Sequence, residues 1–132
     1  MTEIRLGLLG EVAHQVTDLD TARALGSGDV DALATPRLIA WLEEATCRAL
    51  DDMLTTEQTS VGTAVEIAHL RASAVGEVVR CRAVVASVDG AKVGFEVEAH
   101  QGERVVAEGR VTRAVVERAA FNARLAPEVG AG

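Results

Sequence analysis

The chain has 132 residues, of which 48% are hydrophobic, and carries a formal net charge of −7 with a pI near 4.9. This length supports one core, and we interpret residues 1–132 as a single domain. The acidic balance argues against nucleic-acid partners and against a membrane partner, because basic surface supplies most of that affinity. Binding of a small anionic ligand is still compatible with this charge, since a local arginine cluster can bind phosphate even on an acidic protein.

The two cysteines, Cys47 and Cys81, stand alone, and no segment has the pattern of an export signal. The apolar run at residues 6–10 is too short to span a membrane. We therefore expect reduced thiols and a cytoplasmic location. Aromatic residues make up only 2% of the chain, so Ala, Val, Leu and Ile must build a closely packed core.

The first predicted element is a strand over residues 7–17. Residues 18–34 follow and contain the run Gly26-Ser27-Gly28-Asp29, which is typical of a mobile loop. Such a loop could cover a binding site. The next element is a helix over residues 35–53, with Thr35 as its N-cap and Pro36 at its first helical position. Its apolar residues cover more than one side, which predicts a helix surrounded by protein.

After residue 55, β-branched residues and period-two alternation predict four strands over residues 60–73, 77–88, 92–101 and 104–117. Asp89-Gly90 and Gln101-Gly102 are hairpin turns, so the last three strands should form an antiparallel meander. Residues 126–132 have the composition of a frayed tail. This order predicts the α+β hot-dog fold, an antiparallel sheet wrapped around a central helix, although an ordinary α+β sandwich fits nearly as well.

His69 shares strand parity with Val65 and Ile67, so its ring should point toward the helix. A buried imidazole requires a hydrogen-bond partner, and Glu43 is the natural candidate; backbone or water would satisfy the ring equally well. Glu43 and Glu44 differ by about 100° around the helix, so they cannot face the same neighbour. Periodicity favours Glu43 as the inward residue, while a surface role stays open.

The Thr35 hydroxyl has a sufficient structural explanation as a helix cap. The same helix end also concentrates N–H groups that would stabilise an oxyanion. Arg113 shares parity with Val111 and Val115 and should then face the apolar side, where it needs an acid or a phosphate. A bulge near Gly109 would instead turn Arg113 to the surface. Gly62 could admit a substrate to backbone N–H groups, although a strand bulge explains it equally well.

Taken together, these residues resemble the fluoroacetyl-CoA thioesterase group of the hot-dog superfamily. The similarity runs from the helix through nearly the whole sheet. It rests on Thr35 with Leu42-Glu43 and Cys47-Arg48-Ala49-Leu50, on Ser60-Val61-Gly62-Thr63-Ala64 leading to His69, and on Arg113-Ala114-Val115 with Phe121-Asn122-Ala123.

The resemblance implies a homodimer that hydrolyses short acyl-CoA thioesters, with Thr35, Glu43 and His69 in the catalytic triad. It implies that Gly62 contacts the acyl carbonyl through its backbone and that Arg113 binds near the substrate. It implies no cofactor and no metal, coenzyme A being part of the substrate. The family pattern has phenylalanines before the helix, whereas residues 18–34 hold no aromatic residue, so strict fluoroacetyl selectivity is not expected.

Two other functions fit the sequence. A non-catalytic hot-dog module would bind an acyl-CoA or another small hydrophobic molecule with the same residues. A hot-dog hydratase is the third alternative, but no Asp and His pair stands at hydratase-like spacing around the helix.

Overall fold

The computed structural model describes residues 3–125 and 127, so part of the predicted C-terminal tail lies outside the described residues. A short 3-10 helix, Asp18–Asp20, follows the first strand. The other elements are β1 (Leu9–Gln15), α1 (Ala22–Leu25), α2 (Thr35–Leu50), β2 (Gln58–His69), β3 (Val78–Asp89), β4 (Lys92–Gln101), β5 (Arg104–Glu117) and α3 (Arg118–Arg124).

The strands form one antiparallel sheet of five strands in the order β1-β3-β4-β5-β2. The predicted meander is confirmed as β3, β4 and β5, joined at the two predicted turns. Helix α2 packs across the sheet against β1, β2, β3 and β4. The architecture is therefore the predicted α+β hot-dog fold, with one antiparallel sheet packed around a central helix.

Small residues set the distance between α2 and the sheet. A Cβ atom on Gly10 of β1 would collide with the carbonyl oxygen of Ala45 and the backbone nitrogen of Ala49, both in α2. Leu38, Leu42 and Leu50 fill the spaces around this contact and are fully buried. The low aromatic content thus permits close packing, as the sequence predicted.

The segment between β1 and α2 is more ordered than the predicted loop. It contains the 3-10 helix and α1; a bridge from Thr21 to Leu33 closes the segment on itself, and a bridge from Ala32 to Ala74 ties it to the body of the protein. The Thr21 hydroxyl caps α1, and Gly26 ends it in the left-handed conformation. Turn and cap chemistry, rather than hydrophobic periodicity, builds this segment.

Candidate active site

Thr35 is the first residue of α2, but it does not cap the helix. The N-cap is Ala34, in an extended conformation with φ −70° and ψ 137°, and no side chain supplies a cap hydrogen bond. The predicted N-cap role of Thr35 is therefore wrong by one residue. Instead, Thr35 Oγ1 lies 2.7 Å from Nδ1 of His69 on β2. The hydroxyl is thus paired with an imidazole at the positive end of a helix dipole.

His69 points to the helix side of the sheet, as strand parity predicted. Burial lowers the pKa of its imidazole from the ordinary value, while the nearby backbone of Arg71 has a smaller effect in the opposite direction. Among the described residues, the buried Nε2 atom has no hydrogen-bond partner. A neutral ring at physiological pH is able to accept the proton of the threonine hydroxyl.

Arg113 is buried on the inner face of the sheet, where its charge is paired with the carboxylate of Glu43. Its Nη1 donates to Glu43 Oε2 at 3.2 Å, and its Nε donates to Ser60 Oγ at 2.9 Å. The register of β5 is continuous through Gly109, so no bulge turns the arginine outward. The predicted pairing of Arg113 with an acid is confirmed, whereas sequence reasoning missed Ser60, which shares strand parity with Gly62.

Gly62 lies directly against this ion pair. A Cβ atom at residue 62 would collide with Oε2 of Glu43 and would lie 3.5 Å from Nη1 of Arg113. The register of β2 also shifts between Gly62 and Ala64, so the predicted bulge is present as well. The glycine therefore leaves the carboxylate of Glu43 accessible beside the backbone of β2.

Within one chain, these contacts form two separate groups. We call Thr35 with His69 the hydroxyl pair, and Glu43 with Arg113 the acid pair. Thr35 and Glu43 are eight positions apart in α2, which places their Cα atoms about 12 Å apart along the helix axis. The predicted bond between Glu43 and His69 is not formed in the chain, because Glu43 bonds to Arg113 instead.

The neighbouring acid, Glu44, faces a different part of the molecule, as the helix geometry predicted. Its Oε1 lies 2.6 Å from Nε2 of His14, whose ring stacks on Trp41 at 4.8 Å between centroids. Burial, with a further contribution from the charge of Glu44, raises the pKa of the Cys81 thiol to about 12. Cys81 is therefore a structural thiol and not a nucleophile.

Over residues 3–125 and 127, no cluster of three His, Cys, Asp or Glu side chains could hold a metal ion. In the same part of the chain, no helix has both the length and the apolar character needed to cross a membrane.

Comparison with known proteins agrees with the resemblance seen in the sequence. Residues 16–119 match the family described as fluoroacetyl-CoA-specific thioesterase. The fluoroacetyl-CoA thioesterase of Streptantibioticus cattleyicolor is 31% identical over 102 residues, covering 77% of this chain and 73% of that protein.

Solved structures are similar over almost the whole fold. A solved structure of a fluoroacetyl-CoA thioesterase has a TM-score of 0.88 at 28% identity, covering 93% of this chain and 96% of that one. A thioesterase superfamily member from Thermus thermophilus also has a TM-score of 0.88, at 25% identity, covering 95% of this chain and 93% of that one.

Proposed function

Because this chain belongs to the fluoroacetyl-CoA-specific thioesterase family, we propose that it hydrolyses short-chain acyl-CoAs through Thr35, Glu43 and His69. The chain is an acyl-CoA thioesterase, and its own residues supply the groups that this chemistry needs. The observation that carries the residue assignment is the 2.7 Å contact between Thr35 Oγ1 and His69 Nδ1.

In the proposed reaction, His69 Nδ1 takes the proton of Thr35 as the hydroxyl oxygen attacks the thioester carbonyl. The uncapped end of α2 and the backbone N–H of Gly62 of the partner subunit, which the dimer described below brings beside His69, stabilise the oxyanion. The C–S bond then breaks, and the CoA sulfur leaves with the proton returned by His69. Water hydrolyses the acyl-threonine ester with proton transfer to the same base and restores the hydroxyl, so each cycle consumes one water and yields a carboxylate and free CoA.

We propose that the active protein is a homodimer joined through β2. This strand of 12 residues lies at the end of the sheet, and its middle, including Gly62 and Val65, is exposed. An exposed strand edge offers unpaired backbone groups to a second chain. Antiparallel pairing about a two-fold axis between Val65 and Glu66 would set His69 beside Gly62 of the partner subunit.

This pairing supplies what one chain lacks. Side chains on the same face of paired strands lie roughly 4.5–5.5 Å apart, so the hydroxyl pair of one subunit would face the acid pair of the other. The buried Nε2 atom of His69 would then approach Glu43 of the partner subunit. The proposed role of Glu43 is to orient the imidazole and to direct water at the acyl-threonine ester. Arg113 holds Glu43 through their hydrogen bond, and its proposed second role is to contact the bound acyl group.

We also propose that the enzyme works in the cytoplasm without strict selectivity for fluoroacetyl-CoA. Cys47 and Cys81 are both free thiols, as expected of a reducing compartment. Residues 18–34 contain no aromatic side chain that could enclose a fluoromethyl group. A strong preference for fluoroacetyl-CoA over acetyl-CoA would overturn the selectivity proposal.

The test is to measure release of free CoA thiol from acetyl-, fluoroacetyl- and butyryl-CoA. We expect Thr35→Ala, Glu43→Gln and His69→Ala each to lower kcat/KM by roughly 10²–10⁴-fold, the range of lost acid–base catalysis. Glu44→Gln is the matched control, because it alters an adjacent acid on another face of α2. Wild-type activity in the triple variant would refute the assignment, and binding without hydrolysis would favour the non-catalytic module.

A further inference from the structure

A polar pocket lies beside the acid pair and has no role in the reaction described above. Its volume is about 310 Å³, at the small end of the roughly 300–1,000 Å³ range of small-molecule sites. Among its lining residues, which all belong to the described chain, Leu54 is the only aliphatic one. Six others carry thiol, hydroxyl or amide groups: Cys47, Thr55, Thr56, Gln58, Thr59 and Ser60.

Two lining residues connect this pocket to the catalytic carboxylate. Cys47 follows Glu43 by one helical turn, so both side chains project from the same face of α2. Ser60 lines the pocket and accepts a hydrogen bond from Arg113, which is bonded to Glu43. The pocket therefore begins one helical turn beyond Glu43, in the direction of the C-terminal end of α2.

A larger pocket of about 440 Å³ lies beyond the first one, but it is less suited to this role. It shares Leu54 and Gln58 with the polar pocket, but its lining includes neither Cys47 nor Ser60, the two residues that connect the polar pocket to the acid pair. Leu54 and Gln58 thus form the wall between the two spaces. An acyl group entering from Glu43 meets this wall after it has passed the polar pocket.

From this geometry, we propose that the polar pocket is the acyl subsite and that it takes neutral acyl groups of about four carbons bearing a hydroxyl, such as a 3-hydroxyacyl group. The inference rests on the proposed thioesterase function. A hydroxyl would pair with the polar lining, whereas an alkyl group would leave these groups desolvated and unpaired.

The charges around the pocket argue against an acyl group that ends in a carboxylate. Arg118 lines the pocket, but its Nη1 donates to the carbonyl oxygen of Thr56 and its Nη2 donates to that of Gln58. Asp51 adds a negative charge to the same lining. Nη1 and Nη2 of Arg118 therefore already donate to the pocket wall, and the charges of Arg118 and Asp51 offset each other, so the lining offers a carboxylate no net attraction.

The substrate test uses a pair of thioesters that differ by one hydroxyl. We expect kcat/KM to be at least tenfold higher for 3-hydroxybutyryl-CoA than for butyryl-CoA, and also higher than for succinyl-CoA. The proposed substrate class would be overturned if kcat/KM were equal for 3-hydroxybutyryl-CoA and butyryl-CoA, or highest for succinyl-CoA.

The location of the subsite is tested by changing its volume. Cys47→Leu should lower the ratio of 3-hydroxybutyryl-CoA to acetyl-CoA hydrolysis at least tenfold, because the new side chain fills the pocket. Ala91→Leu adds bulk to the larger pocket and is the matched control, for which we expect no change in this ratio. Leu54→Ala should act in the opposite direction and raise the relative rate for hexanoyl-CoA. The location would be overturned if Cys47→Leu left the ratio of 3-hydroxybutyryl-CoA to acetyl-CoA hydrolysis unchanged and Leu54→Ala left the relative rate for hexanoyl-CoA unchanged.

A binding measurement separates failure of this inference from failure of the thioesterase proposal. Calorimetric titration of the Glu43→Gln variant should give at least tenfold tighter binding of 3-hydroxybutyryl-CoA than of butyryl-CoA. That result would support the subsite even if wild-type protein hydrolysed no thioester. Equal affinities, beside rapid hydrolysis of acetyl-CoA, would overturn the subsite while leaving the thioesterase function intact.

Discussion

Mixing two inactive variants should restore activity if each active site uses both subunits. Glu43→Gln alters the acid pair and His69→Ala alters the hydroxyl pair. Thr35 and Glu43 lie about 12 Å apart along α2, too far to act on one carbonyl within a subunit. In a heterodimer of the two variants, one site carries both substitutions and the other site carries neither.

The size of the recovery follows from two-fold symmetry. Random exchange of equal amounts makes about half of the dimers mixed, and each has one intact site, so activity should reach about a quarter of the wild-type value. Thiol release from acetyl-CoA measures the activity, and native mass spectrometry measures the exchange. Thr35→Ala mixed with His69→Ala is the control and should recover nothing, because both residues belong to one hydroxyl pair. Complete exchange without recovery in the first mixture would refute the shared site.

Three further predictions concern single residues. Burial lowers the His69 pKa from its usual 6.5, so kcat/KM should lose its dependence on pH above that value and fall only at lower pH; an acid limb centred above 6.5 would argue against His69 as the base. Gly62→Ala should lower kcat/KM about 100-fold with unchanged circular dichroism, because its Cβ would displace the Glu43 carboxylate; retained activity would remove the need for a glycine there. Gly10→Ala should reduce the free energy of unfolding in urea by about 1–3 kcal/mol, since its methyl group would overlap the backbone of Ala45. A smaller change than 0.5 kcal/mol, roughly the effect of an ordinary surface substitution, would show that α2 and β1 separate easily.

The sequence predicts the regular elements well because their signals are local. Strands β4 and β5 have the predicted bounds, since the Gln101-Gly102 turn separates them and alternation is regular along β4. Helix α2 begins at the predicted Thr35 but ends at Leu50, three residues early, because the apolar pattern continues into the turn. The two short helices before α2 were missed because each has fewer residues than a periodic pattern needs.

The sequence correctly predicts which strand residues of the site face the helix, but it does not predict which side chains hydrogen-bond to each other. Alternation placed His69 and Arg113 on the inner face, where the structure has them. It could not show that Glu43 bonds to Arg113, or that Thr35 bonds to His69 rather than to its own helix end. Those pairings depend on the register between β2 and β5 and on the position of α2 across the sheet.

A crystal structure of the Glu43→Gln variant with bound 3-hydroxybutyryl-CoA is the most direct test of the account. We predict that the thioester carbonyl lies within hydrogen-bond reach of Thr35 and His69 of one subunit, with residue 43 of the other subunit on its opposite side. An acyl-CoA bound elsewhere on the protein, or a dimer that keeps the hydroxyl pair away from the acid pair, would contradict the shared catalytic site.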